Sequence, residues 1–252
     1  MNRKLLASLF ISIAFLGGCI KDPVVTPRLL LTKWTYVGIG TYKYDYDAEK
    51  RLTILTYTPL KGTVSIQHYA EFNAAGAPLY YNHSYAGAPT DMSHYRPEYD
   101  ASGRLTILRT YDADNNLRER KVYTYSTTNI EQLTYTATGA LDLRVVYFIN
   151  TAGNITSIDY YNAAGVLQQR RNFSLFDDQK SNKWLVPAVE GRYLYSENNY
   201  RAYNMYDPFT GITQNFTCVY EYNTDGYVTR RTSTNTATGS TAIQTFEYVI
   251  RP

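Results

Sequence analysis

From about residue 40 to residue 250 the chain alternates apolar and polar side chains with a period of two, in runs of roughly six to nine residues. Tyr42, Tyr44 and Tyr46 fall on one side of such a run, and Lys43, Asp45 and Asp47 on the other. Tyr123 and Tyr125, Tyr220 and Tyr222, and Phe246 and Tyr248 repeat the arrangement. Successive side chains of a strand point to opposite faces, so the alternation predicts antiparallel sheet with one aromatic face and one polar face.

The runs are separated by a recurring corner: an aromatic residue, Asp or Asn, two small or polar residues, Gly, any residue, then an aliphatic one. Tyr99-Asp100-Ala101-Ser102-Gly103-Arg104-Leu105 is the clearest copy, and Phe72 to Gly76, Ile149 to Ile155, Tyr161 to Leu167 and Tyr222 to Val228 follow it. Tyr135 to Leu141 has Thr136 in the Asx place, Tyr111 to Leu117 has Asn115 in the Gly place, and Tyr46 to Leu52 has Lys50 there. Asx at the first position of a type I turn caps it, and Gly at the fourth takes positive φ, which together make a hairpin turn with a glycine bulge. Asn tolerates that conformation next best; Lys50 is the least comfortable occupant. The flanking aromatic and aliphatic residues are expected to face each other across the hairpin.

Positions 50, 76, 103, 115, 139, 153, 165, 211 and 226 are the glycine-equivalent sites, most of them roughly 12 or 24 residues apart. Where the gap doubles, Pro59 to Gly62, Gly87 to Thr90 and Ser126 to Asn129 supply a turn midway. The spacing predicts on the order of 14 to 17 strands. The fold class is therefore all-β: an antiparallel meander of short hairpins. Because strand twist accumulates, the sheet should curl with its aromatic face inward, as one large curved sheet or an open or closed barrel. One stretch, from Phe176 to Pro187, lacks alternation and predicts an irregular insertion near residues 176–192, with Trp184 packed over the sheet or a barrel end.

The N-terminus follows a different pattern. Arg3 and Lys4 precede an apolar run from Leu5 to Leu16, which ends in Leu16-Gly17-Gly18-Cys19. The run is too short for a membrane-spanning helix and suits the apolar region of a secretory signal. It resembles a bacterial lipoprotein signal with a lipobox at Leu16 to Cys19. That resemblance implies cleavage between Gly18 and Cys19, diacylglycerol on the Cys19 thiol, and a chain anchored to the membrane without spanning it. The expected organisation is a signal peptide over 1–18, a lipidated tether over 19–30 containing Pro23 and Pro27, and a single β domain over 31–252.

Composition adds three limits. Tyrosine is abundant, with 27 residues against nine Phe and two Trp, as suits a sheet whose buried rings reach water with their hydroxyls. The formal charge of +3 falls to about +1 once Arg3 and Lys4 leave with the signal, which gives no electrostatic footprint for nucleic acid. Arg170-Arg171 and Arg230-Arg231 do not change this, since strand neighbours point to opposite faces. If Cys19 carries lipid, Cys218 has no disulfide partner; its apolar surroundings, Phe216 to Tyr220, predict a small buried hydrophobe.

Candidate chemistry is sparse. Asp112-Ala113-Asp114-Asn115-Asn116 begins like a calcium loop, but Leu117 stands in place of the required Gly and Tyr123 in place of the bidentate Glu, so a turn is expected. His68, His83 and His94 lack metal-ligand spacing, and no metal or cofactor is expected. No nucleophile elbow or phosphate-cradling glycine loop occurs, and the acids sit mainly in turn positions, so no catalytic residues are assigned. Exposed aromatics are the remaining candidate for ligand contact, with Trp184, Tyr200, Tyr203 and Tyr206 as the chosen cluster. A transmembrane barrel is disfavoured by Thr, Arg and Asn interrupting both faces.

The Tyr99 to Leu105 corner and its Asn copies resemble YD repeats, the strand-turn-strand units of Rhs-type and teneurin-type β shells. Tyr206-Asp207-Pro208-Phe209-Thr210-Gly211 is similar to an element near the end of such regions. The chain is far shorter than those shells, and no C-terminal toxin is expected. Asp177-Asp178-Gln179-Lys180-Ser181-Asn182, Ser196-Glu197-Asn198-Asn199 and Tyr220 to Tyr227 are similar to segments of uncharacterised Bacteroidota surface lipoproteins with a YD-like, porin-like curved sheet. Lys21-Asp22 resembles the short charged signal that sends such lipoproteins to the outer face. These resemblances imply an outer-membrane location and no assigned activity. The expectation is a lipid-anchored, non-catalytic binding or structural module of the cell envelope, with glycan or an envelope protein as partner; the alternative is a secreted-side glycan hydrolase.

Overall fold

The structure, a computed structural model, describes residues 29–181 and 196–250. The expected signal peptide, Gly18, Cys19, most of the tether, and Trp184 lie outside the described residues. Among the described residues there are sixteen strands and no helix. The first eight are β1 (Leu29–Tyr36), β2 (Gly40–Tyr46), β3 (Leu52–Pro59), β4 (Ser65–Phe72), β5 (Pro78–Tyr85), β6 (Ala88–Tyr99), β7 (Leu105–Tyr111) and β8 (Leu117–Tyr125). The second eight are β9 (Asn129–Thr136), β10 (Leu141–Ile149), β11 (Ile155–Asn162), β12 (Leu167–Lys180), β13 (Asn198–Tyr206), β14 (Thr213–Tyr222), β15 (Val228–Asn235) and β16 (Thr241–Ile250).

Each strand pairs antiparallel with its neighbours in sequence, and β1 pairs with β16, so the meander closes into a barrel. Closure settles the choice between curved sheet and barrel, and it removes both free edges of the sheet. β1 starts at Leu29, inside the stretch expected to be tether. β12 runs to Lys180, so the first residues of the expected insertion, from Phe176, are strand; the remainder through 192 lies outside the described residues.

The corners form as their residues dictate. All nine glycine-equivalent positions have positive φ, including Asn115 at 63° and Lys50 at 66°. Asp100 shows the mechanism. Its Oδ1 accepts the amides of Ser102 and Arg104, both at 2.9 Å, and the Gly103 amide donates to the Asp100 carbonyl at 2.9 Å. Asn73, Asn150, Asn162 and Asn223 bind the amides two and four residues on in the same way. The expected partners face each other: Tyr46 and Leu52, Tyr99 and Leu105, Ile149 and Ile155, Tyr222 and Val228.

Each of these four pairs sits beside a β-bulge, and the residue after the aliphatic member is threonine. Thr53, Thr106, Thr156 and Thr229 donate their hydroxyls across the bulge to the carbonyls of Asp45, Glu98, Phe148 and Glu221, at 3.1 to 3.3 Å. Where the bulge disturbs the ladder, the carbonyl beside it thus gains a side-chain donor.

The aromatic face is the inner wall. Leu29, Leu31, Tyr44, Tyr69, Tyr81, Leu105, Leu108, Tyr123, Val228 and Phe246 form one buried cluster with Tyr42, Tyr46, Tyr125, Tyr222 and Tyr248 packed against it. Rings align in register across strands, as in Tyr69, Tyr81 and Tyr95, where neighbouring centroids lie 5.0 and 4.4 Å apart. Several inner hydroxyls are satisfied by backbone of the preceding strand: Tyr46 donates to Leu31 O at 2.8 Å, Tyr125 to Leu105 O at 2.7 Å and Tyr220 to Tyr200 O at 2.9 Å. This is why tyrosine serves here better than phenylalanine.

The outer face is charged. Lys33 pairs with Glu247 at 2.8 Å, Lys43 with Asp45 at 2.8 Å, Arg144 with Glu131 at 2.6 Å and Arg230 with Glu221 at 3.1 Å. Asp159 is fully buried on this face, held by Arg170 through Nε at 2.7 Å and Nη2 at 2.5 Å and by the Tyr161 hydroxyl at 2.9 Å.

Candidate functional site

Alternation along β14, β15, β16 and β1 places Tyr220, Arg231, Gln244, Phe246 and Trp34 on the inner wall, in registers that set Tyr220 opposite Arg231, Arg231 opposite Gln244, and Phe246 opposite Trp34. From the other side, β11, β12 and β13 contribute Ile155, Ile158, Phe173, Asn198, Asn199 and Tyr200. Between them lies a cavity of about 240 Å³, also lined by Leu31, Ser181 and Ser196. It sits where β12 ends and β13 begins.

The walls are mostly aromatic and aliphatic. Phe173 meets Tyr200 with centroids 4.7 Å apart, and Tyr203 stacks on Phe216 at 4.5 Å and an interplanar angle of 3°. Trp34 is sandwiched between Phe246, at 5.8 Å, and Tyr42, at 5.3 Å. Burial pushes the phenols of Tyr200 and Tyr220 up from their usual value, so both are neutral at physiological pH.

Arg231 is the single charged side chain among the described lining residues. Its guanidinium lies over the rings of Tyr200, at 4.9 Å, and Tyr203, at 5.8 Å, and Nη2 points to Cys218 Sγ at 3.5 Å. No carboxylate pairs with it among the described residues. Its neighbour Arg230 faces outward and pairs with Glu221. Arg170 and Arg171 divide likewise: Arg170 binds Asp159 outside, while Arg171 lies over the Tyr160 ring inside and bonds Gln169 at 3.0 Å. The alternation argument that dissolves the two Arg-Arg pairs as patches therefore also selects Arg231, but nothing local in the sequence shows that it lacks an acid.

Of the aromatics expected to face a ligand, Tyr200 and Tyr203 come together around Phe173 and Arg231 on the inner wall, half-buried. Tyr206 pairs in register with Arg170 and so belongs to the outer face. Trp184 lies outside the described residues. Cys218 is free and buried, beside Ser233. In the calcium-like stretch, Asp112 Oδ1 accepts the amides of Asp114 and Asn116, and Oδ2 pairs with Arg118 at 2.9 Å, which makes it a turn cap. His83 Nε2 lies 2.5 Å from Ser65 Oγ, and His94 Nδ1 lies 2.6 Å from the Tyr80 hydroxyl. Among the described residues no three His, Cys, Asp or Glu side chains converge as metal ligands.

No protein-family model matches the chain, and no curated protein matches it. Solved structures do. A porin-like protein from Bacteroides vulgatus ATCC 8482 superposes with a TM-score of 0.52 at 12% identity, over 87% of this chain and 98% of that one. At such identity the likeness concerns the fold alone. A porin-like protein from Bacteroides uniformis ATCC 8492 gives 0.43 at 12% identity, over 87% and 96% of the two chains. A Photorhabdus luminescens Tc holotoxin pore gives 0.30 at 17% identity, over 81% of this chain and 9% of that one. The overlap with the Bacteroides vulgatus protein shows a shared fold over 87% of this chain and 98% of that one.

Proposed function

We propose that this chain is a cell-envelope β-barrel of the Bacteroidota surface-lipoprotein kind, tethered to the outer membrane through acylated Cys19, and that it binds a ligand without catalysis. The observation that carries the reading is the inner cavity, whose walls are aromatic, aliphatic, amide and hydroxyl side chains around one guanidinium. Such a lining holds and orients a ligand. Acid-base hydrolysis of a glycan would instead use two carboxylates facing one site.

The outer wall supports anchoring over spanning. A barrel in lipid presents an apolar band about 25 Å tall, and charged residues on that band cost about 2–4 kcal/mol each near the midplane. Lys43, Asp45, Glu131, Arg144 and Glu247 all lie within strands on the outer wall. Anchoring then falls to the N-terminus, where Arg3, Lys4, the Leu5 to Leu16 run and Cys19 supply the lipoprotein signal, with Lys21-Asp22 as the surface-export signal.

Two experiments test this. Cys19→Ala is expected to leave an unlipidated precursor, seen by acyl labelling and membrane fractionation; unchanged labelling would overturn the anchor. A glycan array run beside a hydrolase screen, on the chain from residue 20, is expected to give binding without turnover. Turnover abolished by one carboxylate substitution would overturn the binding reading.

A further inference from the structure

Two buried N–H groups on the cavity wall have no acceptor: Arg231 Nε and Trp34 Nε1. Buried donors in folded proteins nearly always have a partner, and an unpaired charge among apolar walls is costly. Cation–π contact with Tyr200 and Tyr203, a hydrogen bond with Tyr200 and the Nη2 contact to Cys218 Sγ offset part of that cost, but Nε itself keeps no acceptor. Among the described residues this wall offers no anionic acceptor. Leu31, Ile155, Ile158, Phe173 and Phe246 make most of the described wall apolar, with Ser181, Ser196, Asn198 and Asn199 as its polar part.

Resting on the reading of the barrel as a binding module, we infer that the cavity takes an apolar monocarboxylate, its carboxylate on Arg231 and its hydrocarbon body against the aromatic wall. A carboxylate accepts from guanidinium donors in a forked geometry and neutralises a charge that no described carboxylate pairs. Gln244, opposite Arg231 on the next strand, and Trp34 Nε1 are further donors on the same wall. The volume of about 240 Å³ has room for roughly a dozen ligand atoms, the size of a medium-chain fatty acid. A sugar acid has the charge but would set part of its hydroxyl-covered ring against the apolar side chains that make up most of the described wall. A fatty alcohol has the body but would leave the guanidinium unpaired.

Decanoate, decanol and glucuronate are titrated into the chain from residue 20, which keeps every described strand, by calorimetry and by Trp34 fluorescence in a Trp184→Phe background. Decanoate is expected to bind and to change Trp34 emission, with decanol and glucuronate each weaker by roughly tenfold or more. Arg231→Gln is expected to cost decanoate a similar factor, Arg231→Lys to retain part of it, and Arg230→Gln, on the outer face, to change nothing. Equal binding of decanoate and decanol, or unchanged decanoate affinity in Arg231→Gln, would overturn the inference. If Arg231→Gln does not fold, the comparison of the three ligands on the unaltered chain decides alone. Failure of all three ligands to bind while a glycan binds elsewhere sinks this inference and leaves the binding-module reading standing; turnover of a glycan sinks the latter.

Discussion

Trp34 lies against Phe246 across the seam where the first strand meets the last, with ring centroids 5.8 Å apart and planes 21° from parallel. The row continues to Tyr42 and Tyr57 on the next two strands, at 5.3 and 4.5 Å, so four strands share one line of stacked rings inside the wall. The contact joins residues more than 200 positions apart in sequence. Ordering that much chain is entropically costly, and aromatic burial is what offsets it at the seam. Phe246→Ala is therefore expected to destabilise the barrel by about 3 kcal/mol or more, read from urea denaturation. A loss below about 1 kcal/mol would mean that the seam is held by its backbone ladder alone.

Corner strain separates cleanly from corner packing at one glycine. Gly139 has φ of 85° and nothing within 4 Å of where a Cβ would sit. Gly139→Val therefore adds backbone strain without a clash, and about 1–2 kcal/mol of destabilisation is expected. Lys50 occupies the same kind of position at φ 66°. Lys50→Gly is expected to raise stability by a few tenths to about 1 kcal/mol, the opposite sign. Thermal melts of the two variants check both.

Acid stability should trace to Asp159. Burial pushes its carboxyl up, but the hydrogen bonds from Arg170 and Tyr161 and the guanidinium charge outweigh this and hold it below the usual range. A depressed folded value means that the ionised form stabilises the barrel above about pH 4, and that this contribution fades as pH falls through the folded value. Arg170→Gln removes the partner and leaves a buried charge. It is expected to lower the melting temperature at pH 7 and to shift the acid limb of the stability curve to higher pH. An unchanged acid limb would contradict the pairing.

The bulge threonines give a repeat-wide test. Thr106 donates its hydroxyl to Glu98 O at 3.2 Å in an exposed setting, so Thr106→Val alone is expected to cost about 0.5 kcal/mol. Changing Thr53, Thr106, Thr156 and Thr229 together is expected to cost roughly four times as much, since the strands that carry them, β3, β7, β11 and β15, do not pair with one another. A quadruple variant no weaker than the single one would mean that these bonds are incidental to the bulges.

Local chemistry was legible in the sequence, and long-range chemistry was not. An Asx residue and a Gly three positions on determine their own turn, as at Gly76, Gly103, Gly153, Gly165 and Gly226; Lys50, Asn115, Gly139 and Gly211, which depart from that spacing or residue pair, have the same left-handed backbone. The corners at Gly38 and Gly239 escape the pattern: Gly38 has no Asx before it, and Asn235 precedes Gly239 by four positions. Alternation places Tyr44, Tyr123 and Phe246 inside, because one face must be dry. Whether the sheet closes depends on a register between Leu29 and Ile250 that no local window contains. The site behaves in the same way. Alternation puts Arg231 on the aromatic wall, but that no described acid pairs with it depends on what β11 to β13 and β16 bring opposite. Tyr200 and Tyr203 are three residues apart and would be assigned to opposite faces by strict alternation, yet both ring faces meet Arg231.

Closure of the barrel is tested most directly at Thr35 and Thr245, register partners across the seam. With both changed to cysteine in the chain from residue 20, a short bis-methanethiosulfonate reagent is expected to join them within one molecule. The product would be a monomer with faster gel mobility, formed in the folded protein and not in urea. Cross-links found only between molecules, or none in the folded protein, would contradict the closed meander.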